Sequence, residues 1–341
     1  MKKTSLIYGV TGQDGSYLAE RLLGRGYRVL GVIRRTSTNN QERVKEIRGL
    51  ELVEGDITDM ASVSGIISEY MPDEIYNMAA MSHVHTSFNQ PVLSIQTNTI
   101  GVLNILEAIR QFSPGSRLVQ ASTSEMFGNN YEIVNGVKVQ TKNTDFHPVS
   151  PYAIAKVAAH QLCILYREAY GLHISTALMY NHESPRRGET FVTRKITKWI
   201  GEFKKLKAHN EKVNAAGLKV IFKPQPLKLG NIDSIRDWSH AKDFVAALHL
   251  MLQMENPDDY ILCSNESHTI RDFLDEAFEV ADIDCWEKYV EIDPKLYRPV
   301  DVVHLHGNST EAREKLKWVP QYTFKGLVQD MVNSDINRCK E

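Results

Sequence analysis

Two short stretches carry residue types that can do chemistry together: Thr123-Ser124-Glu125, and Tyr152 with Lys156. On a helix, Tyr-x-x-x-Lys puts both side chains on one face, about one turn apart. A free phenol, with a pKa of about 10, is a poor base at neutral pH, and an adjacent ammonium favours its charged form. Thr123, Ser124 and Glu125 follow the apolar run Leu118-Val119-Gln120-Ala121, which reads as a strand. A strand end is where an α/β sheet opens its ligand crevice. Hydroxyls and a carboxylate facing a Tyr/Lys base predict an oxidation followed by removal of a proton from carbon.

The elements that must hold these groups recur as strand, helix, strand. Ser5 to Val10 is a short apolar run ending in Gly9-Val10-Thr11-Gly12-Gln13-Asp14-Gly15, and a helical pattern with Leu18, Leu22 and Leu23 follows. Glycines at Gly9, Gly12 and Gly15 let the backbone turn tightly and let a pyrophosphate approach the helix N-terminus, where free N–H groups favour anions. The second strand, Arg28 to Ile33, ends in Arg34-Arg35 rather than in an acid. A carboxylate there suits the ribose 2′-hydroxyl of NAD, whereas arginine suits the 2′-phosphate of NADP; Thr36 and Ser37 add hydroxyls. Strands at Glu51–Ile57 and Glu74–Ala80 deliver Asp56 toward an adenine and leave room at Ala79 and Ala80 for cofactor backbone contacts. With helices at Gln96–Phe112 and Pro151–Tyr170 and a strand at Ile174–Met179, the pattern predicts a Rossmann-type, doubly wound parallel sheet over residues 1–180.

Beyond Asn181 the character changes. From Arg194 to Lys228 there are ten Lys or Arg against two acids; from Met251 to Asp301, fourteen acids stand against four bases. The basic stretch is either a solvated helix face or a contact for a sugar-nucleotide pyrophosphate. Helical patterns at Ser239–Met254, Ile270–Ala281 and Phe324–Ile336 alternate with short strands such as Tyr260–Cys263. They predict a smaller α/β lobe over 181–341, with chain returning to the sheet around 229–255. Two alternating runs about Asn135-Gly136 predict a hairpin near the mouth of the site.

Composition narrows the function classes. A net charge of −2 speaks against a global polyanion binder. The four cysteines are scattered without zinc spacing, which suits a reducing compartment. His83/His85 and His304/His306 lack the carboxylate or cysteine partners a metal would need. With no signal-peptide pattern and no long run of consecutive apolar residues, the expectation is a cytoplasmic protein without metal, membrane or nucleic-acid partner.

Five stretches go further: Val10–Leu18, Asn181-His182-Glu183-Ser184-Pro185-Arg186-Arg187-Gly188, Phe191–Ile196, Leu229-Gly230-Asn231 with Arg236-Asp237-Trp238, and Tyr297-Arg298-Pro299. With Ser122-Thr123-Ser124-Glu125 and Tyr152/Lys156, they resemble the extended short-chain dehydrogenases acting on nucleotide sugars, and within these the GDP-mannose 4,6-dehydratase family. The resemblance implies that Gly9 to Asp14, Arg34, Asp56, Ile57, Ala79, Ala80, Ser82, Lys156, His182 and Arg187 hold NADP. It implies chemistry at Thr123, Glu125, Tyr152 and Lys156, and binding of the GDP part by Asn181, Val192, Lys195, Arg236 and Arg298. In this family the loop after the second strand tends to reach a neighbouring subunit's cofactor, implying a homodimer or homotetramer.

Met81, Leu93 and Val149 replace the family's usual Gln, Tyr and Arg, and the hairpin and the basic segment are longer than usual. GDP-mannose is therefore the expected substrate, with GDP-N-acetylglucosamine or a GDP-heptose as alternatives. The expected cycle oxidises C4 of the sugar with Tyr152 as base, removes the C5 proton with Glu125, expels water from C6, and returns hydride to C6. Thr123 or Ser124 would polarise the C4 ketone or steady the leaving hydroxyl. A 4-epimerase would need no carboxylate aimed at C5, and a binding-only module would need none of these groups.

Overall fold

Seven parallel strands form the central sheet: β1 (Thr4–Tyr8), β2 (Arg28–Ile33), β3 (Leu50–Glu54), β4 (Glu74–Asn77), β5 (Arg117–Thr123), β6 (Ile174–Met179) and β7 (Asp259–Leu262), in the order β7-β6-β5-β4-β1-β2-β3. They belong to a computed structural model that describes residues 2–36, 40–216, 223–297 and 299–340. The inner strands are buried along almost their whole length, as in β4 and β6, because helices cover both faces of a parallel sheet. One face packs helices Gln13–Gly24, Ala241–Met251 and Thr310–Leu316 around Leu18, Leu22, Phe244 and Leu248. The other packs Met60–Tyr70, Gly101–Phe112 and Pro151–Tyr170 around Ile67, Ile105, Ile109 and Cys163.

The chain runs outward through β1, β2 and β3, then crosses to β4 on the other side of β1. This reversal parts the loops after β1 and β4 and opens a crevice at the strand ends. The helix Pro151–Tyr170 begins cleanly. Pro151 sits at its first position, Ser150 Oγ accepts from the Ala153 N–H (3.1 Å), and Gly171 closes it at φ 65°.

Several expectations shift. The helix predicted from Gln96 starts at Pro91, and residues Gln96–Ile100 wind as a π-turn within it. By length and composition the continuous helix Pro91–Phe112 is apolar enough to cross a membrane. A search for consecutive apolar residues passes over it because Gln96, Thr97, Asn98, Thr99 and Asn104 interrupt the run; its second half, Gly101–Phe112, packs against the sheet. The strand at 259–262 is the outer edge of the main sheet, paired with β6 from Asp259–Thr176 to Leu262–Met179. The returning chain thus extends beyond residue 255, because Tyr260, Ile261 and Leu262 are all buried, as a strand covered on both faces requires.

The second lobe gathers helices Val192–Ala215, Ile270–Val280 and Phe324–Arg338 around Trp199, Phe273, Phe278 and Met331. It joins the sheet domain through the parallel pair Asn181–Glu183 and Trp238–His240. The Asn135-Gly136 hairpin forms as Glu132–Val134 with Val137–Val139, both turn residues at positive φ (53° and 79°). It is fastened to the chain's later part by Gln140 N–H to His306 O (2.8 Å) and by the His304 Nε2–Lys138 O contact (3.1 Å).

Candidate active site

The crevice is a cavity of about 770 Å³ between the two lobes. Its floor is the turn after β1. Gly9 adopts φ +78°, and a Cβ there would come 2.7 Å from the Ala79 backbone nitrogen, while a Cβ on Gly15 would strike the Gly9 carbonyl. Gly9 is needed so that the loops after β1 and β4 can touch, and Gly15 so that the first helix can start against the turn that precedes it. A small-residue cradle at the N-terminus of helix Gln13–Gly24 suits a dinucleotide pyrophosphate, so a nicotinamide cofactor fits the residues present.

The sheet domain and the second lobe are stitched across this floor. His182 Nδ1 donates to Tyr180 O (2.7 Å), and His182 Nε2 meets Asp14 Oδ2 at 2.9 Å. Gln13 donates to His182 O (3.1 Å) and accepts from Ser184 Oγ (2.7 Å). Gln13 lines the cavity with the other residues of the glycine-rich turn, and its amide holds the Asn181–Gly188 stretch. Burial opposes ionisation of both Asp14 and His182. Their attraction, with Arg187 beside Asp14, overcomes it, so Asp14 lies below and His182 above its ordinary pKa.

The chemical groups converge at the end of β5. Thr123 is the last residue of the strand, and its hydroxyl oxygen accepts from the Glu125 N–H (3.3 Å) and hydrogen-bonds the Tyr152 phenol. Ser124 to Phe127 form a single 3₁₀ turn, which swings Glu125 into the cavity beside Tyr152. Lys156 Nζ lies 5.9 Å from the centre of the Tyr152 ring and donates to Ala121 O at 2.8 Å.

The expectation that Lys156 holds the phenol's pKa down is corrected here. Burial lifts Tyr152 to about 12, with the Thr123 hydrogen bond opposing and the Glu125 charge adding to the rise. Burial also lowers Lys156 to about 8. With its ammonium turned to a carbonyl and itself desolvated, Lys156 contributes little to the phenol in this state. A cationic ring bound in the crevice would supply the missing positive charge.

The remaining expected residues divide between the two ends of the same cavity. Thr11, Gly12, Arg34, Asp56, Ile57, Ala79, Ala80 and Ser82 lie on the sheet-domain side; Asn181, Val192, Lys195 and Arg236 on the other, with Ser124 and Arg187 between. Ser37 and Arg298 lie outside the described residues. Asp56 Oδ1 accepts from both Thr58 N–H (2.9 Å) and Thr58 Oγ1 (2.7 Å), so one carboxylate oxygen shapes its own turn. Of the described basic stretch 194–216, Lys195 lines the cavity; Arg194 is buried against Asp335 (2.8 Å) and Lys198 pairs with Glu189 (2.6 Å). Residues 131–140 do not line the cavity; the hairpin is fastened to residues 304–308, whose His304 pairs with Ile235 beside the cavity-lining Ser234 and Arg236.

Reasoning from sequence missed two groups. Arg43 donates from Nε to Arg186 O (2.8 Å) and from Nη1 to Thr11 O (3.3 Å), strapping the chain after β2 onto the glycine-rich turn. Phe191 lies under the Arg187 guanidinium (3.6 Å to the ring centre) and edge-on to His83 (5.7 Å). Arg43 gave no sequence signal, its carbonyl partners Thr11 and Arg186 being distant in the chain; Phe191 opens the Phe191–Ile196 stretch, but its meeting with distant His83 does not show in the sequence. Among the described residues no group of three His, Cys, Asp or Glu could hold a metal. Trp238 is buried, edge-on to Phe273 (5.5 Å) and stacked on Phe324 (6.0 Å), so it serves packing.

The family model described as GDP-mannose 4,6 dehydratase matches residues 6–331. The Arabidopsis thaliana protein "GDP-mannose 4,6 dehydratase 2" is 43% identical over 352 residues, spanning 99% of this chain and 88% of that protein. The Vibrio cholerae "GDP-mannose 4,6-dehydratase" is 38% identical over 381 residues, spanning 99% and 95%. Among solved structures, the Thermus thermophilus UDP-glucose 4-epimerase in complex with NAD superposes with a TM-score of 0.79 at 26% identity, covering 97% of this chain and 98% of that one.

Proposed function

Because the chain belongs to the GDP-mannose 4,6-dehydratase family, we propose that Thr123, Glu125, Tyr152 and Lys156 carry out GDP-mannose 4,6-dehydration, to the GDP-4-keto-6-deoxy sugar. The enzyme is a hydro-lyase that works with a nicotinamide cofactor. We read that cofactor as NADP, on the strength of Arg34 and Arg35 where an acid would serve NAD. The observation that supports the mechanism best is that Glu125, on the turn after β5, and Tyr152 line one cavity.

A nicotinamide cofactor held at the glycine-rich turn would supply the hydride acceptor and donor. The chain's own groups do the rest. Tyr152 takes the proton of the C4 hydroxyl, and Thr123, hydrogen-bonded to Tyr152, holds the C4 oxygen beside it. Of the two hydroxyls left open by the sequence, the Tyr152 contact favours Thr123 for this role and leaves Ser124 to the leaving group. The ring charge would favour the phenolate and bring it toward the working pH, while Lys156 stays bonded to Ala121 O. Once C4 is a ketone the C5 hydrogen is acidic; Glu125 removes it and passes a proton to the C6 hydroxyl, which leaves as water, and a proton from solvent restores C5 when C6 is reduced. Arg236 and Lys195 hold the phosphates and base of the nucleotide. Turnover of GDP-mannose in heavy water, followed by keto-sugar formation and deuterium at C5, tests the reading. A product without deuterium at C5 would overturn it.

The assembly we propose is a homodimer or homotetramer. Val92, Ile95, Ile100, Ile154 and Leu165 are exposed on the adjacent helices Pro91–Phe112 and Pro151–Tyr170, an apolar strip that a second copy would cover. Sedimentation of Ile154→Lys should then give a lighter species than the parent; equal masses would refute this face as the interface.

A further inference from the structure

Resting on the cofactor reading above, we infer that Glu183 is the positioning residue for Arg187, setting its guanidinium where the cofactor's diphosphate leads toward the nicotinamide. Glu183 closes the strand Asn181–Glu183, in register with His240. Its side chain is 3% exposed; Oε2 accepts from Thr193 Oγ1 (2.7 Å) and lies 3.1 Å from Arg187 Nε. Thr193 stands in the first turn of the helix Val192–Ala215 and is itself buried. One carboxylate oxygen thus ties together the two ends of the segment 183–193, with Arg187 between them. By charge alone an acid here would repel a phosphate, and a buried carboxylate is costly unless it is paired and hydrogen-bonded. Holding Arg187 gives it a role that offsets both.

Arg187 is held on two sides. Its Nε edge meets Glu183, and one face of the guanidinium covers the Phe191 ring (3.6 Å to the ring centre). The chain turns at Arg187 N–H to Ser184 O (2.9 Å) and again at Phe191 N–H to Gly188 O (3.1 Å), which brings acid, cation and ring together. With Nε and one face engaged, the two terminal nitrogens are what remains for a ligand, and Arg187 lines the cavity. Its place along the cofactor follows from its neighbours. The Arg187 charge bears on Asp14, in the first turn of the helix whose N-terminus suits a pyrophosphate, and on Tyr152, whose task needs a nicotinamide beside it. A dinucleotide that reaches from one to the other passes this guanidinium. A planar fork already held at a fixed angle binds phosphate bidentately and loses less side-chain freedom in doing so.

Glu183→Gln and Glu183→Met test this by the sign of their effect, read by titrating stripped protein with NADP and with NAD below each variant's Tm. Losing a negative charge near a phosphate would by itself tighten binding, whereas losing the hold on Arg187 weakens it. Glu183→Met should raise Kd by about tenfold or more, the worth of a charge-assisted bond. Glu183→Gln, whose amide oxygen can still accept from Thr193 and Arg187, should raise it by less. The loss should be alike for NADP and NAD, because the diphosphate is common to both. Arg187→Met should also weaken both cofactors by about tenfold or more. Adding Glu183→Met to it should then change Kd by less than about twofold, since residues acting through one contact are not additive; a merely structural Glu183 would cost affinity again. Should Arg187→Met be too unstable to titrate, having left Glu183 buried without its cation, the sign of the two Glu183 changes decides. Unchanged or tighter binding by both Glu183 variants overturns the assignment, as do additive losses in the double variant. Wild-type protein that takes up neither NADP nor NAD defeats the cofactor reading itself, and this inference with it; because the readout is binding, the outcome does not depend on which hexose is turned over.

Discussion

His182 Nε2 lies 2.9 Å from Asp14 Oδ2, joining the first helix of the chain to the strand pair that begins the second lobe. The contact spans 168 residues of sequence, so it forms when the lobes are docked. A depressed carboxyl adds stability above its unfolded pKa and loses it as pH falls through the folded value. A raised imidazole adds stability below its unfolded pKa and loses it as pH rises through the folded value. Asp14 is depressed and His182 raised, so the pair contributes most between about pH 4 and about pH 6.5, the unfolded values, and fades outside that window. Asp14→Asn should lower Tm across that window and weaken the fall of Tm on either side of it. A Tm equal to the parent's inside the window, with the same fall outside it, would mean that the ion pair does not operate.

Glu125→Gln removes the base for C5 while leaving Tyr152, Lys156 and Thr123 in place. It should abolish dehydration yet allow sugar-dependent reduction of the bound cofactor, visible as a partial rise in absorbance of the reduced nicotinamide. Dehydration at the parent rate would show that another group takes the C5 proton.

The high Tyr152 value has a kinetic consequence. Only the phenolate is a base, so kcat/KM should climb with pH across the neutral range and level off at the phenol's value in the cofactor complex. That plateau lies below the value of about 12 that burial imposes here, because a bound cationic ring favours the phenolate. Tyr152→Phe should lower kcat by about 10²–10⁴-fold, the usual share of a positioned base, and remove the rising limb. A pH profile unchanged in that variant counts against Tyr152.

Arg34→Ala should weaken NADP by about tenfold or more, since a charge-assisted bond to a phosphate contributes roughly 1.5–3 kcal/mol, and should leave NAD nearly untouched. Equal loss of both cofactors, measured by titrating stripped protein, would place the 2′-phosphate elsewhere.

Gly9→Ala forces a side chain into φ +78° and against the Ala79 nitrogen. Strained backbone of this kind costs about 1–3 kcal/mol, before the clash is relieved. Urea denaturation should give a lower midpoint at unchanged slope, with loss of bound cofactor. A variant of parental stability that keeps its cofactor would show that the two loops can separate at little cost.

Much of the molecule was legible in order along the chain. The glycine turn, the helix from Pro151 to Tyr170, β6 and the Asn135-Gly136 hairpin depend on neighbours within a few residues: a cap, a periodicity, a pair of positive-φ residues. The local signal therefore sufficed. The π-turn at Gln96–Ile100 was not legible. It holds buried Asn98 so that its amide grips Met81 at both the backbone N–H (3.0 Å) and the carbonyl (3.2 Å). That arrangement has value only when the β4 loop lies alongside.

By itself, then, the amino-acid order determined which chemical groups the protein owns and that they stand at strand ends and helix starts, because pattern and propensity are short-range properties. The tertiary structure decided how those groups behave. Burial, not the neighbouring lysine, sets the Tyr152 phenol; Gln13 braces the second lobe; Arg187, Phe191 and His83 become one wall although they come from two separate lobes. Desolvation and contact between distant segments depend on what packs around a residue, and that environment exists only once the lobes have closed on one another.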